Sequence, residues 1–221
     1  MNFKILCLII CFSTINPKLS SIDSLMVNHL KSPLGIDKNE NTFSFKSNEE
    51  GPFKAKLFLN KTIIEEKEIL LKNAHSFTFD TPLQYNAIYK YVVESSTSQA
   101  SLEFETSIEL ENSFIKPKNK NIFSPIFFKE FKLDKASIKR ARLYITGLGL
   151  YRAFINEERV GNSYLTPGYN DYDYYLRYQT YNITKLLKEN NIIEVHMGDG
   201  WYKGRFGYPN LNGKDDEIFG D

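Results

Sequence analysis

Apolar and polar residues alternate along most of the chain with a period of two. The alternation comes in short runs separated by Gly, Pro, Asn and Asp, which is typical of half-buried strands joined by turns. It predicts strands over residues 43–46, 53–59, 76–80, 88–93, 102–106, 126–131, 142–146, 150–155, 178–181 and 192–197. We therefore predict an all-β protein built from antiparallel β-sandwiches.

The predicted strands fall into two groups with a polar segment between them. Residues 116–121 contain no apolar residue apart from Pro117, which is typical of an exposed linker. We predict a first β-sandwich module over residues 22–112, a linker over 113–122 and a second β-sandwich module over 123–221. A long loop within one domain is the alternative.

Local patterns in the second module add detail. The strands over 142–146 and 150–155 flank a Gly-Leu-Gly kink at 147–149. Residues 183–188 have the pattern of a single helical turn. In the last predicted strand, 192–197, alternation places Ile193, Val195 and Met197 on one face and Glu194 and His196 on the other.

The first twenty residues differ from the rest of the chain. Lys4 lies in a basic start, and residues 5–12 form an apolar run that is too short to span a bilayer. Small polar residues follow. We interpret residues 1–20 as a cleaved secretory signal peptide. The protein is then expected to be secreted, or to lie in the lumen of the secretory pathway, with no membrane association after cleavage.

Cysteine usage and charge narrow the possible functions. Both cysteines, Cys7 and Cys11, lie in the predicted signal peptide, so the mature chain is expected to have no disulfide and no thiolate metal site. The formal net charge of +1 and the mixed signs along the chain give no electrostatic basis for nucleic-acid binding. Asn60 and Asn182 begin sequons and are predicted glycosylation sites in a eukaryotic secretory pathway.

Several motifs of the second module occur together in a specific order and spacing. They begin with ARLYITGLGLYRAFIN at 141–156 and end with GDGWYKG at 198–204, with shorter matches at 159–161, 165–168, 171–172, 178–181 and 184–187. This series resembles the N-terminal β-domain of bacterial α-L-rhamnosidases, glycoside hydrolase family 78. Residues 25–37 and 43–45 resemble the fibronectin-type-III-like domain that precedes it in many family members.

The resemblance implies a fibronectin-III-like sandwich followed by a jelly-roll or galactose-binding-like sandwich. It also implies that the intact relative hydrolyses terminal α-L-rhamnose, with its catalytic carboxylates in a later (α/α)6 barrel. The 221 residues contain no helical repeat pattern of such a barrel. We therefore expect the non-catalytic N-terminal part of such a hydrolase, inactive alone, with the second module incomplete and the barrel as its missing intramolecular partner.

Two other functions remain open at this point. One is a free-standing carbohydrate-binding β-module, and the other is an extracellular adhesion or interaction protein. Whether the chain is a truncated gene product or a short protein is also open.

Candidate catalytic groups are few. Glycoside hydrolysis needs two carboxylates that flank the scissile bond, and the cluster that could supply them is Asp171, Asp173 and Asp199. Because Asn170–Asp171 favours a turn, we interpret Asp171 and Asp173 as turn carboxylates and predict no catalytic residue. Ligand contact is an alternative role, and Ca²⁺ at the two loop aspartates would lack a full set of oxygen ligands.

Other chemistry is not supported by the spacing of the residues. His29, His75 and His196 match no metal-binding pattern, and His196 is interpreted as structural. No nucleophile elbow is present, and Gly198–Asp199–Gly200 is not a dinucleotide fingerprint. We predict neither a metal nor a cofactor.

The segment GDGWYKGRFGY at 198–208 contains the single tryptophan of the chain. Its glycines allow a tight exit from the preceding strand. Two interpretations are open: Trp201 and Tyr202 cap the sandwich core, or they form a rim that stacks on a sugar while polar neighbours bind its hydroxyls. The candidate ligand-binding residues are Asp171, Tyr172, Asp199, Trp201, Tyr202 and Arg205, and a rhamnose-containing glycan is the expected ligand.

Overall fold

The computed structural model describes residues 22–39, 41–49, 51–70, 74–110, 114–119 and 122–203. The predicted signal peptide, both cysteines and Arg205 lie outside the described residues. Within the described part, the all-β prediction is confirmed, and eight pairings between strands are antiparallel. The described strands are β1 (Ile22–Val27), β2 (Phe43–Ser47), β3 (Phe53–Leu59), β4 (Thr62–Ile69), β5 (Ala74–Phe77), β6 (Ile88–Glu94), β7 (Gln99–Glu105), β8 (Ile126–Lys132), β9 (Arg142–Ile145), β10 (Leu150–Ile155), β11 (Glu158–Arg159), β12 (Gln179–Asn182) and β13 (Asn190–Gly198).

Helical structure in the described residues is limited to a 3₁₀ turn, Lys135–Ser137, and one short helix, α1 (Gly200–Lys203). Asp134 caps the 3₁₀ turn, because its carboxylate accepts a hydrogen bond from the Ala136 N–H at 3.2 Å. None of the described helices has the length and apolar composition needed to cross a membrane.

The chain divides into two compact units whose segments interleave along the sequence. The first unit takes the described residues up to Ser32, then Asn39–Pro82 and Ile88–Glu103. The second takes Pro33–Lys38, Leu83–Ala87 and the described residues from Phe104 onward. The predicted boundaries at 112 and 123 stay a prediction.

The first unit is a sandwich of a three-stranded sheet, β1-β2-β5, and a four-stranded sheet, β4-β3-β6-β7. Its strands follow the predicted alternation: in β3, Phe53 and Leu57 are fully buried, whereas the polar positions between the buried ones face outward. Aromatic rings join the sheets. The Phe43 ring lies 5.3 Å from that of Tyr91, and the Phe45 ring lies 5.1 Å from that of Phe53.

The two sequon asparagines lie at the surface. Asn60 and Lys61 form a two-residue turn between β3 and β4 with φ angles of 49° and 70°, a conformation that asparagine tolerates better than most residues. Asn182 ends β12, and its side-chain oxygen accepts a hydrogen bond from the Thr184 hydroxyl at 2.8 Å. Glycosylation of either residue stays a prediction.

The second unit contains a four-stranded sheet, β11-β10-β13-β8, and a two-stranded sheet, β12-β9. The strands on either side of the Gly-Leu-Gly kink therefore belong to different sheets. The hydrophobic core of this unit is built around Tyr151, Ala153, Ile155, Val160, Ile183 and Leu187.

The predicted faces of the last strand are confirmed by the pairing of β10 with β13. Ile193, Val195 and Met197 all pack against the core of the second unit. On the opposite face, the His196 ring lies 5.0 Å from the Phe154 ring.

The single helical turn predicted over residues 183–188 is found as one isolated hydrogen-bonded turn, shorter than predicted. The Leu186 N–H donates to the Ile183 carbonyl at 3.0 Å. The segment is tied down by tertiary contacts, because Ile183 and Leu187 are both buried in the core. Burial of these two side chains does not require a continuous helix.

Candidate functional site

The Trp201 segment leaves the end of β13 as the short helix α1. The backbone N–H groups of Tyr202 and Lys203 donate to the Asp199 carbonyl at 3.2 and 3.3 Å. Trp201 and Tyr202 are both half-buried, whereas Asp199 is exposed. The turn of helix thus presents two aromatic rings beside an exposed carboxylate.

Glycines fix the position of this segment against the Gly-Leu-Gly kink. Gly149 has a φ of 98°, and a Cβ atom there would lie 2.4 Å from the Gly198 carbonyl oxygen and 2.7 Å from that of Asp199. Gly200 has a φ of 54°, and a Cβ there would lie 2.7 Å from Leu150 Cγ. Direct backbone packing, which only glycine permits here, therefore sets where the exit from β13 lies.

A second loop, 166–175, approaches the same place. The first residue of the loop, Thr166, is hydrogen-bonded to Tyr151 of β10. The Tyr151 N–H donates to the Thr166 carbonyl at 2.8 Å, and the Thr166 hydroxyl donates to the Tyr151 carbonyl at 2.7 Å. Further on, the Asp171 carbonyl accepts the N–H groups of Tyr174 and Tyr175 at 3.0 and 2.8 Å. The backbone of Asp171 therefore shapes a turn.

Two ring pairs connect this loop to α1. The Tyr169 and Trp201 rings lie 6.3 Å apart at 86°, and the Tyr172 and Tyr202 rings lie 5.1 Å apart at 63°. Both are edge-to-face contacts, which stabilise aromatic pairs beyond the burial of their area. We call Tyr169, Tyr172, Trp201 and Tyr202 the aromatic rim.

Asn170 lies in the same loop as Tyr169 and Tyr172, and the sequence did not indicate its importance. It is fully buried, and its side-chain oxygen accepts the Arg177 N–H at 2.9 Å. Its amide nitrogen has no hydrogen-bond partner among the described residues. A buried donor without a partner costs free energy, so this amide lowers the stability of the loop. The sequence motif Asn-Asp indicated only a turn.

The environment of Tyr172 keeps its hydroxyl neutral. Burial raises the pKa of Tyr172, while a hydrogen bond with the backbone of Gly149 acts in the opposite direction. A neutral hydroxyl can donate as well as accept hydrogen bonds. The site therefore combines aromatic rings with the exposed carboxylate of Asp199, a combination that can contact both the C–H face and the hydroxyls of a polyhydroxy ligand.

Five of the six predicted ligand-binding residues lie in these two neighbouring segments: Asp171, Tyr172, Asp199, Trp201 and Tyr202. The sixth, Arg205, lies outside the described residues. Among the described residues that pack on the core of the second unit, neither Trp201 nor Tyr202 is found. No group of three or more His, Cys, Asp or Glu side chains in the described part of the chain could hold a metal ion.

Comparison with known proteins supports the resemblance. Residues 136–220 match the alpha-L-rhamnosidase N-terminal domain family. An α-L-rhamnosidase from Streptomyces avermitilis is 43% identical over 79 residues, which are 35% of this chain and 8% of that protein. One from Formosa agariphila is 37% identical over 81 residues, 36% of this chain and 9% of that protein. The chain thus spans less than a tenth of either relative.

Two solved structures resemble the fold across both units. The α-L-rhamnosidase from Dictyoglumus thermophilum superposes with a TM-score of 0.67 and 26% identity, covering 82% of this chain and 25% of that one. The α-L-rhamnosidase from Aspergillus terreus superposes with a TM-score of 0.67 and 28% identity, and the match covers 91% of this chain and 26% of that one. The chain therefore has the β-sandwich fold found in part of these solved structures. More particularly, residues 136–220 are similar to the N-terminal domain of α-L-rhamnosidases.

Proposed function

We propose that the chain serves an α-L-rhamnosidase-like glycoside hydrolase as a non-catalytic region, and that its aromatic rim binds rhamnose-containing glycans. The observation that carries the proposal is the pairing of Tyr169, which is 52% exposed, with Trp201, close to the exposed Asp199. Ring faces stack on the C–H face of a sugar, and a carboxylate accepts hydrogen bonds from its hydroxyls. The similarity to α-L-rhamnosidases supports rhamnose as the sugar.

The single tryptophan makes the rim directly observable. Trp201 is the only tryptophan in the sequence, so its fluorescence reports on this site alone. Titration of the full chain with methyl α-L-rhamnoside should give a saturable change at about millimolar concentration, a typical affinity for one weakly bound group. Methyl α-D-glucoside serves as the control sugar and should give no saturable change.

Calorimetry then tests which residue is responsible. Trp201→Ala should abolish the binding heat, because the stacking face is lost. Tyr164→Ala is the matched control: Tyr164 is 75% exposed and stacks on Arg159, outside both ring pairs of the rim. Rhamnoside binding that survives Trp201→Ala, or that is lost equally in Tyr164→Ala, would contradict the proposal, provided that all variants melt like the parent protein.

Secretion belongs to the same proposal. It is supported by the basic start and the apolar run of residues 1–20. Expression in a secreting host followed by N-terminal sequencing of the protein in the medium tests it. Recovery of the protein only inside the cells, with Met1 retained, would contradict secretion.

A further inference from the structure

The second unit contains a shallow pocket that shares no residue with the aromatic rim. Its volume is about 270 Å³, and its polar lining comes from Asn86, Glu105, Thr106, Arg140, Arg142 and Tyr144. This volume is just below the roughly 300–1,000 Å³ of pockets for drug-sized ligands. The pocket therefore suits a ligand of about one sugar ring.

One of the two arginines is fully engaged with the protein. Arg142 donates from Nε and Nη2 to the two carboxylate oxygens of Glu105 at 2.8 and 2.7 Å, and from Nη1 to the Ala141 carbonyl at 3.0 Å. The side chains of Arg142 and Glu105 are each only 13% exposed. The pair is therefore a fixed part of the pocket wall, and its charges cancel.

The other arginine remains available. Arg140 Nη1 lies 3.6 Å from Glu105 Oε1, close enough for ionic attraction but too far for a hydrogen bond. Its side chain is 37% exposed, and it has no other ionic or hydrogen-bond partner among the described residues. Two arginines and one glutamate give the described lining a net charge of +1, which is centred on the Arg140 guanidinium.

Neutral donors complete the lining. Thr106 is committed to the fold, since its hydroxyl oxygen accepts the Ala87 N–H at 3.0 Å and donates to the Gln84 carbonyl at 2.6 Å. Tyr144 is half-buried, and burial followed by the negative charge of Glu105 raises its pKa, so its hydroxyl stays neutral at physiological pH. The Asn86 side chain is exposed at the pocket edge.

We infer that this pocket binds the carboxylate of a uronic acid residue in an acidic glycan. A guanidinium with free donors matches a planar carboxylate in a bidentate fork, and a single excess positive charge matches a monoanion better than a phosphate. Asn86 and Tyr144 are placed to bind sugar hydroxyls. The assignment to a sugar rests on the proposed glycan-binding function, whereas the carboxylate rests on the pocket itself.

The test uses ¹⁵N-labelled full chain titrated with sodium glucuronate and followed by NMR chemical shifts. Glucose tests the need for the carboxylate, and acetate tests the need for the ring. We expect saturable shifts with glucuronate and a weaker response to both controls.

Arg140→Gln should weaken glucuronate binding at least about tenfold, the loss expected when a charge-assisted hydrogen bond disappears. Lys139→Gln removes a neighbouring exposed charge outside the pocket and should have no effect.

Two further arms separate this inference from the proposed function. Arg140→Lys keeps the charge but lacks the fork and should give intermediate affinity, which also covers the case that Arg140→Gln fails to fold. Methyl α-L-rhamnoside should bind Arg140→Gln normally, and glucuronate should bind Trp201→Ala normally. Acetate or sulfate binding as tightly as glucuronate, no saturable shift, or full affinity in Arg140→Gln would each overturn the inference.

Discussion

Glu105 accepts both arms of the Arg142 guanidinium fork, with its two oxygens 2.8 and 2.7 Å from Nε and Nη2. The two residues are 37 positions apart in the sequence and lie at the end of β7 and the start of β9. The hydrogen bonds from Arg142 to the Glu105 carboxylate, together with its negative charge, raise the pKa of Arg142. This ion pair ties the start of the segment from Phe104 onward to the two-stranded sheet of the same unit.

Replacing Glu105 with glutamine should destabilise the protein. The half-buried Arg142 loses its counter-charge but keeps one acceptor oxygen, so the free energy of unfolding should fall by about 1–3 kcal/mol. Urea denaturation measures the change. Glu109→Gln is the matched control, because Glu109 is exposed and should change the free energy of unfolding little. Equal effects of the two substitutions would show that the Arg142 fork contributes nothing specific.

Adding a methyl group at Gly149 should destabilise the protein far more than adding one at Gly168. Both glycines have positive φ angles, 98° and 91°, so alanine at either carries a backbone penalty of about 1–2 kcal/mol. Only at Gly149 does the new Cβ also meet backbone atoms, at 2.4 Å from the Gly198 oxygen. The difference between the two melting temperatures isolates the steric term. Equal melting temperatures would show that the backbone contact can relax without cost.

Removing the hydroxyl of a buried tyrosine should stabilise the protein at Tyr91 and destabilise it at Tyr151. The Tyr91 hydroxyl has no hydrogen-bond partner among the described residues, so Tyr91→Phe should raise the free energy of unfolding by about 1 kcal/mol. The Tyr151 hydroxyl donates to Gln179 Oε1, so Tyr151→Phe should lower it by about the same amount. Chemical denaturation of the two variants tests the signs. A destabilised Tyr91→Phe would mean that the hydroxyl is satisfied in solution.

The same tyrosines should make the protein labile at alkaline pH. Burial raises the pKa of Tyr91 and of Tyr151 above the ordinary value of 10.0. Because the fold favours the neutral hydroxyl, this contribution to stability is fully present below about pH 10 and is lost as the pH rises toward the folded-state pKa. The urea midpoint measured between pH 8 and 11.5 should therefore fall steeply above pH 10. Tyr91→Phe should make the fall of the urea midpoint with pH less steep. An equally steep fall in this variant would contradict the attribution to Tyr91.

The purified 221-residue protein should not hydrolyse nitrophenyl α-L-rhamnoside. Beside the aromatic rim lie Asp171, which is half-buried in a turn, and Asp199, which is exposed, and we interpret neither as a catalytic carboxylate. Nitrophenol release should therefore stay at the level of a buffer blank, with an intact α-L-rhamnosidase as the positive control. Release that is abolished by Asp171→Asn would show that this chain carries out the chemistry itself.

The alternating pattern predicted strands well where one face of a strand is buried, and poorly where neither face is. β3 has strict alternation and is paired on both sides, so its buried positions stand out in the sequence. β4 was not predicted, because it lies at the sheet edge and its residues are mostly exposed or half-buried. β1 was also not predicted, because Ser24 adopts a φ of 52° where the register with β2 shifts, which interrupts the alternation.

The sequence indicated the rim residues but not how they pair. The motif resemblance identified Tyr172 and Tyr202 as candidates, but only the fold shows that their rings lie 5.1 Å apart. Asn170 was considered as a turn former, since nothing in a one-dimensional pattern reveals a buried amide without a partner. The Arg140 pocket could not be predicted at all, because its residues come from three separated stretches of the sequence.

The contact of the Gly149 backbone with the Gly198–Asp199 backbone makes the rim a platform whose position does not depend on its own side chains. Exchanging Tyr169 or Trp201 for other residues leaves the anchoring peptide groups untouched. A library varied at these ring positions, with the glycines kept, can therefore be screened for new sugar preferences on a constant scaffold.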